Sequence, residues 1–122
     1  MKKMLHVLLA LAAVALFVTV APAQEVYRPG NGVSLPKVTK KVDPKYTQEA
    51  RDAHIEGKVV VDCVVLENGK VSNVTIVRSL DPTYGLDEQA VKATEQWEFE
   101  PGTKDGKPVP VRISIELTFT LK

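Results

Sequence analysis

The side chains best suited to chemistry are few and poorly placed for it. His54 is the only histidine outside residues 1–23 and falls in a predicted helix, whereas Cys63, the only cysteine, falls in a predicted strand among apolar neighbours. Nothing in this pattern brings a general base to a nucleophile. Asp87 and Glu88 are adjacent, and adjacent residues diverge on a helix, so they suit helix capping better than paired acid and base catalysis.

Metal, cofactor and nucleic-acid functions find no support either. One cysteine and one histidine are too few for a conventional zinc site, and the chain has no HExxH, CxxC, P-loop or GxGxxG motif. A formal net charge of +1 lacks the basic excess with which nucleic-acid binders neutralise phosphates. The sequence therefore predicts no catalytic, cofactor or metal site, and attention moves to binding surfaces.

The most regular pattern lies at the end of the chain. From Val109 to Leu121 apolar and polar residues alternate with few breaks, which predicts a strand with one face in the core and one in solvent. The predicted core row is Val111, Ile113, Ile115, Leu117, Phe119 and Leu121, and the predicted solvent row is Arg112, Ser114, Glu116, Thr118 and Thr120.

A short helix and a hairpin are predicted before this strand. Thr47–His54 reads as a helix with its first residue as N-cap and Gly57 as its stop. Lys58–Leu66 carries valines on both faces, which predicts a central strand, and Asn68-Gly69 predicts a tight hairpin leading to Val71–Ser79. In this partner strand the clearest inward candidates are Val74 and Ile76.

A second helix is predicted between the hairpin and the last strand. Leu86, Ala90, Ala93 and Trp97 recur at helical spacing and form an apolar stripe. Trp97 and Phe99 could serve as a ligand platform, but their positions at the end of this stripe and at the return to the sheet favour core packing.

The predicted fold is therefore α+β, with α-β-β-α-β order and two helices on one face of a three-stranded antiparallel sheet. The two-faced first strand predicts that the last strand joins it and becomes an edge. The outer backbone groups of such an edge can accept an extended peptide by β-augmentation. The predicted binding residues are Val111, Arg112, Ile113, Ser114, Ile115, Glu116, Leu117 and Thr118. The alternative is a plain core strand whose edge is guarded by Arg112 and Glu116 or closed in a homodimer.

The N-terminus predicts export. Two lysines precede an apolar run from Leu5 to Val20 that ends in Ala21-Pro22-Ala23, which is typical of a signal peptide over residues 1–23 or of an uncleaved membrane anchor. Residues 24–41 then predict an extended lead-in that forms no element, and 42–122 a single domain. Both alternatives place the domain outside the cytoplasm.

The landmarks of the predicted domain, taken together, resemble the TonB C-terminal domain family. They are Pro44-x-Tyr46, Glu56-Gly57-x-Val59, Asn68-Gly69-Lys70-Val71, Leu86-Asp87-x-x-Ala90, Trp97-x-Phe99-x-Pro101 and Gly106-Lys107-Pro108-Val109. The resemblance implies a periplasmic domain of a transmembrane transport system, in which a short peptide of an outer-membrane receptor, the TonB box, pairs with the last strand. An anchored form would also contact an inner-membrane, proton-driven motor complex. The other hypotheses are a free periplasmic adaptor for other peptides or proteins and a homodimeric module, both without energy transduction.

Overall fold

The computed structural model describes residues 25–121, so the predicted signal peptide or anchor, residues 1–23, lies outside the described part. In chain order its elements are β1 (Lys37–Lys40), α1 (Gln48–Asp52), β2 (Gly57–Val65), β3 (Val71–Arg78), α2 (Leu86–Glu95), β4 (Glu98–Glu100), β5 (Thr103–Lys104), β6 (Lys107–Pro108) and β7 (Val111–Phe119). The predicted α+β fold is confirmed, and four short strands add to it. No helix within the described residues is long and apolar enough to cross a membrane.

The main sheet has the order β3-β2-β7, so β2 is central and the last strand is an edge, as predicted. All pairs are antiparallel. The register between β2 and β7 runs without interruption from Gly57 opposite Phe119 to Val65 opposite Val111. The register between β2 and β3 shifts twice, so the two edges of this sheet differ in regularity.

One face of the sheet forms the core together with both helices. The buried cluster contains Ala50, Val59, Val61, Cys63, Val65, Leu86, Ala90, Ala93, Trp97, Phe99, Ile115, Leu117 and Phe119. Every second residue of β2 and β7 contributes its side chain to this cluster from the sheet, and the predicted apolar stripe of α2 packs against them from the helix side. Cys63 is one of the fully buried residues of this cluster.

The first helix begins where expected and ends earlier. The Thr47 side chain accepts a hydrogen bond from the backbone N–H of Ala50 at 3.2 Å, which confirms the N-cap. The chain leaves the helix at Ala53, and His54 then takes a left-handed conformation with φ of 56°. The prediction that Gly57 stops the helix is wrong, because this residue already opens β2.

The aromatic pair at the end of α2 packs in the core, as predicted. Trp97 is 6% exposed and stacks on Phe99 with a ring-centroid distance of 6.1 Å. The indole Nε1–H donates to the backbone carbonyl of Val42 at 2.9 Å, so the one polar atom of this side chain is satisfied. These contacts leave no open aromatic face large enough for a ligand platform.

The prediction for β3 is right at one position and wrong at another. Val74 packs against the core, whereas Ile76 is 37% exposed. Ile76 lies opposite Val61, but β3 is an edge strand and its register shifts on both sides of this pair. Asn73, with φ of 50°, lies at one of these shifts, where a bulge breaks the simple alternation.

The segment predicted as an extended lead-in contains elements and folds back onto the domain. Strand β1 pairs antiparallel with β4, with Lys37 opposite Glu100 and Val38 opposite Phe99. Upstream of it, Val33 is 8% exposed and forms a bridge with Lys104. The prediction that this segment forms no element is therefore wrong. A short strand that pairs with a distant part of the chain has no periodic pattern of its own, so the sequence did not indicate it.

Candidate functional site

The open edge of the main sheet at β7 is the candidate site. The side of this strand that faces away from β2 exposes every second residue's N–H and C=O groups. Arg112 identifies which residues these are, because its N–H donates outward to the carbonyl of Tyr27 at 2.8 Å. By alternation, the backbone groups of Ser114, Glu116 and Thr118 also point outward.

The lead-in occupies one end of this edge. Tyr27 forms a parallel bridge with Val111, in which its own N–H donates to the carbonyl of Pro110 at 2.9 Å. Parallel pairing would next require an N–H at residue 29, but that residue is proline and has none. The chain then turns at Gly30, where φ is 104°. The lead-in therefore pairs with the beginning of β7 and goes no further.

The rest of the edge has no backbone partner among residues 25–121. The predicted site ran from Val111 to Thr118, and the structure divides it into two parts. The Val111–Arg112 end is bridged to Tyr27, while the segment Ile113–Thr118 keeps an unpaired outer side within the described chain. We call this segment the open edge.

Side chains of the predicted site fall on two faces. Val111, Ile115 and Leu117 are buried, and Ile113 and Arg112 are half-buried, while Ser114, Glu116 and Thr118 are exposed. On the solvent face the Ser114 hydroxyl donates to the Asp62 carboxylate, and Glu116 forms an ion pair with Lys58 at 3.4 Å. Both partners belong to β2, the strand on the inner side of β7.

These solvent-face contacts bear on the hypothesis that charged residues guard the edge. The Glu116 carboxylate is engaged toward β2, on the inner side of β7, and not toward the outer edge of the strand. The opposite edge, β3, is less regular, because its two register shifts disturb the row of backbone groups that an added strand would need. Of the two edges, β7 is the better template for an extended peptide.

Cys63 and His54, the two side chains best suited to catalysis, lie in surroundings that do not activate them. Cys63 is fully buried, and this burial, with a smaller contribution from Asp62, raises the pKa of its thiol to about 11, which keeps it protonated at neutral pH. His54 is exposed and lies outside the core. Among the described residues, no three His, Cys, Asp or Glu side chains cluster as metal ligands would.

The acidic pair at the start of α2 is split between two roles. The Asp87 carboxylate accepts hydrogen bonds from the N–H groups of Leu80 and Asp81, both at 2.9 Å, and from the Ser79 hydroxyl. Partial burial alone would raise the pKa of Asp87, but these hydrogen bonds outweigh it and hold the pKa below its usual value. Glu88 instead forms an exposed pair with Lys92 on the helix surface.

A second carboxylate completes this junction between β3 and α2. Asp81 is 3% exposed and accepts hydrogen bonds from the N–H groups of Thr83, Tyr84 and Leu86. Asp81 and Asp87 therefore tie the loop and the helix start to each other through backbone groups. The two carboxylates thus have a structural role, which is to fix the turn before α2.

The pairing of Tyr27 with β7 was missed by the sequence analysis. A single bridge has no periodicity, and the only local signals are the prolines and glycines that the analysis interpreted as irregular chain. The open edge itself was predictable, since the alternation of β7 and the two-faced character of β2 are both local patterns.

Comparisons with known proteins point to one family. A family model described as the C-terminal region of the Gram-negative bacterial TonB protein matches residues 42–121. The chain is 35% identical over 85 residues to protein TonB of Vibrio cholerae, covering 70% of this chain and 34% of that protein. It is 31% identical over 91 residues to protein TonB of Xanthomonas campestris, covering 74% of this chain and 40% of that protein.

A solved structure shares the fold. The solution NMR structure of the Pseudomonas aeruginosa TonB CTD matches with a TM-score of 0.59 at 24% identity, covering 76% of this chain and 90% of that one. The chain as a whole spans between a third and two fifths of the length of these two curated relatives.

Proposed function

Because the chain belongs to the family of Gram-negative bacterial TonB C-terminal domains, we propose that it captures an extended segment of a partner protein along the open edge of β7. The partner is an outer-membrane receptor whose periplasmic segment adds a strand to the sheet, and the setting is energy-coupled transport. The export pattern of residues 1–23 supports a location in the periplasm, anchored to the inner membrane if that segment is retained. In the anchored form the chain would also receive force from a proton-driven motor complex.

The observation that carries this proposal is the run of outward backbone groups at Ser114, Glu116 and Thr118. These three residues offer three N–H and three C=O groups at alternate positions, beside a strand that β2 holds in continuous register. Each added backbone hydrogen bond contributes a net of about 1 kcal/mol, from which the ordering of the peptide subtracts. Pairing over so short a segment is therefore weak by itself, which suits transient capture and leaves selectivity to side chains.

The lead-in adds a limit to this mode of binding. With Tyr27 bonded at Pro110 and Arg112, an incoming strand has room only from Ile113 onward. A partner strand that covers more of β7 must first displace the lead-in bridge, which consists of two backbone hydrogen bonds.

The proposal is tested by Glu116→Pro with Glu116→Ala as its matched control. Proline removes the outward N–H at this position and leaves the inward bonds to β2, so the sheet retains its ladder. Both variants lose the ion pair with Lys58 equally. The probe is a fluorescent peptide copied from the periplasmic N-terminal segment of an outer-membrane receptor of the same bacterium.

We expect the alanine variant to bind this peptide like the parent chain and the proline variant, which lacks one backbone donor, to lose about fivefold or more in affinity. Circular dichroism and a melting curve check that both variants are folded. Equal binding by a folded proline variant would refute the edge as the site. Concentration-dependent dimerisation that only the proline variant lacks would instead support the homodimer hypothesis.

A further inference from the structure

The first described residues of the lead-in, Glu25–Pro29, form an arm that lies against the beginning of β7. Tyr27 provides its backbone contacts, because its N–H donates to the Pro110 carbonyl at 2.9 Å and its carbonyl accepts from the Arg112 N–H at 2.8 Å. This bridge is parallel and lies on the outer side of β7, which is the side that a partner strand would use. The arm therefore already occupies one end of the proposed binding edge.

Few contacts besides these two bonds hold the arm. The Tyr27 ring is half-buried, and the Lys104 ammonium lies over it at 4.9 Å from the ring centroid. The other four residues of the arm are exposed. Pro29 has no N–H, so the pairing cannot continue beyond Tyr27. These contacts must offset the conformational entropy that the arm loses when it is ordered, so the closed arm and the released arm are close in free energy.

The part of the lead-in that follows the arm is attached more firmly. Val33 and Pro36 are buried. The Ser34 N–H donates to the Thr103 carbonyl, and the Ser34 hydroxyl accepts from the Thr103 N–H, both at 2.9 Å. Strand β1 then pairs with β4. This attachment does not depend on the Tyr27 bridge, because its partners lie in β4 and β5 and not in β7.

An exposed turn separates the arm from this firmly attached part. Its three residues, Gly30, Asn31 and Gly32, all have a left-handed backbone, with φ of 104°, 53° and 88°. No atom lies within 4 Å of the position that a Cβ would take at either glycine. Glycines in such open surroundings can change their backbone conformation without a clash. The arm can therefore swing away from β7 about this turn while the chain from Val33 onward stays in place.

We propose that the arm is an autoinhibitory strand that a long partner displaces. When it is closed, it confines a partner to the open edge, and when it is released, the outer side of β7 is free from Pro110 to Thr118. A long partner then replaces both bonds of Tyr27 with bonds of the same kind, so its affinity depends on how often the arm is released. A partner no longer than the open edge does not compete with the arm. The inference rests on the proposed function and adds regulation of the same site by the chain's own lead-in.

The test compares two peptides from the same receptor segment, one of six residues, the length of Ile113–Thr118, and one of nine, the length of Pro110–Thr118. Tyr27→Pro removes the N–H that donates to β7 and the half-buried ring. Val26→Pro is the matched control, because by alternation the backbone groups of Val26 point away from β7. Neither residue belongs to the core cluster. Circular dichroism and a melting curve check that both variants are folded.

We expect Tyr27→Pro to bind the nine-residue peptide at least about fivefold more tightly than the parent chain does, and to bind the six-residue peptide equally. Val26→Pro should bind both peptides like the parent chain. In an NMR titration of the parent chain, the nine-residue peptide should shift the amide signal of Tyr27, which loses its bond to Pro110. The six-residue peptide should leave that signal in place.

The two proposals fail in different ways. If neither peptide shifts the amide signals of Ser114, Glu116 and Thr118, the proposed function and this inference fail together. If both peptides bind but Tyr27→Pro leaves the affinity for the nine-residue peptide unchanged, the arm does not compete and this inference alone is overturned. An equal gain in affinity for Val26→Pro would also overturn it, because the gain would then not come from loss of the Tyr27 bridge.

Discussion

Replacing Gly69 tests how closely the hairpin turn between β2 and β3 packs against β4, the strand that follows α2. Its φ is +84°, and a Cβ at this position would lie 2.1 Å from the carbonyl oxygen of Phe99. The Phe99 N–H in turn donates to the Gly69 carbonyl at 2.9 Å. Gly69→Ala must therefore adopt a left-handed backbone and also push two backbones apart.

The expected cost has three parts. The left-handed conformation costs a residue with a Cβ about 1–2 kcal/mol. The Cβ contact must open from 2.1 Å to at least 3.0 Å, and that movement breaks the hydrogen bond between Phe99 and Gly69, a loss of about 1 kcal/mol. Strain in the displaced chain adds about 1 kcal/mol more, so we expect the free energy of unfolding to fall by about 3–4 kcal/mol.

Gly106→Ala is the matched control. Gly106 has a similar φ of +77° in the turn between β5 and β6, but no atom lies within 4 Å of the position of its Cβ. Gly106→Ala therefore has only the cost of the left-handed conformation, and it should lower the free energy of unfolding by about 1–2 kcal/mol. Urea denaturation followed by tryptophan fluorescence measures both variants. Equal losses would refute the close approach of Phe99 to the turn.

Two further predictions concern the core and the junction before α2. Trp97→Ala should lower the free energy of unfolding by about 3–5 kcal/mol, since it empties a buried site and leaves the Val42 carbonyl without its donor; an unchanged melting temperature would place Trp97 outside the core. The pKa of Asp87 is lowered on folding, so its contribution to stability is complete above its unfolded pKa, about 4, and is lost as pH falls through the folded pKa. Asp87→Asn should therefore be less stable at pH 7 and lose less stability than the parent on acidification, in urea titrations at pH 7 and pH 3; parallel losses would contradict the bonds to Leu80 and Asp81.

Local periodicity explains which parts of the fold could be predicted. The alternation of β7, the valines on both faces of β2 and the stripe of α2 are repeated signals, and each determines a face that must be buried. Together they gave the strand order and therefore the open edge. The Asn-Gly pair gave the hairpin for a different reason, since Gly69 needs a left-handed backbone that few residues adopt.

The remaining features depend on single long-range contacts. The pairing of β1 with β4 and the bridge of Tyr27 to β7 each involve a few residues whose partners lie far along the chain. The exposure of Ile76 is associated with the register shifts of β3. The only sign of these shifts in the sequence is Asn73, a residue type that tolerates the left-handed conformation it adopts within the strand.

Amide hydrogen exchange along β7 tests the central claim most directly, with and without the receptor peptide. In the free chain we expect slow exchange at Arg112, which donates to Tyr27, and fast exchange at Ser114, Glu116 and Thr118, whose N–H groups point outward. The peptide should slow these three amides and leave the inward amide of Ile115 unchanged. Protection of all three in the monomeric free chain, or no change when the peptide binds, would contradict an open edge that accepts a partner strand.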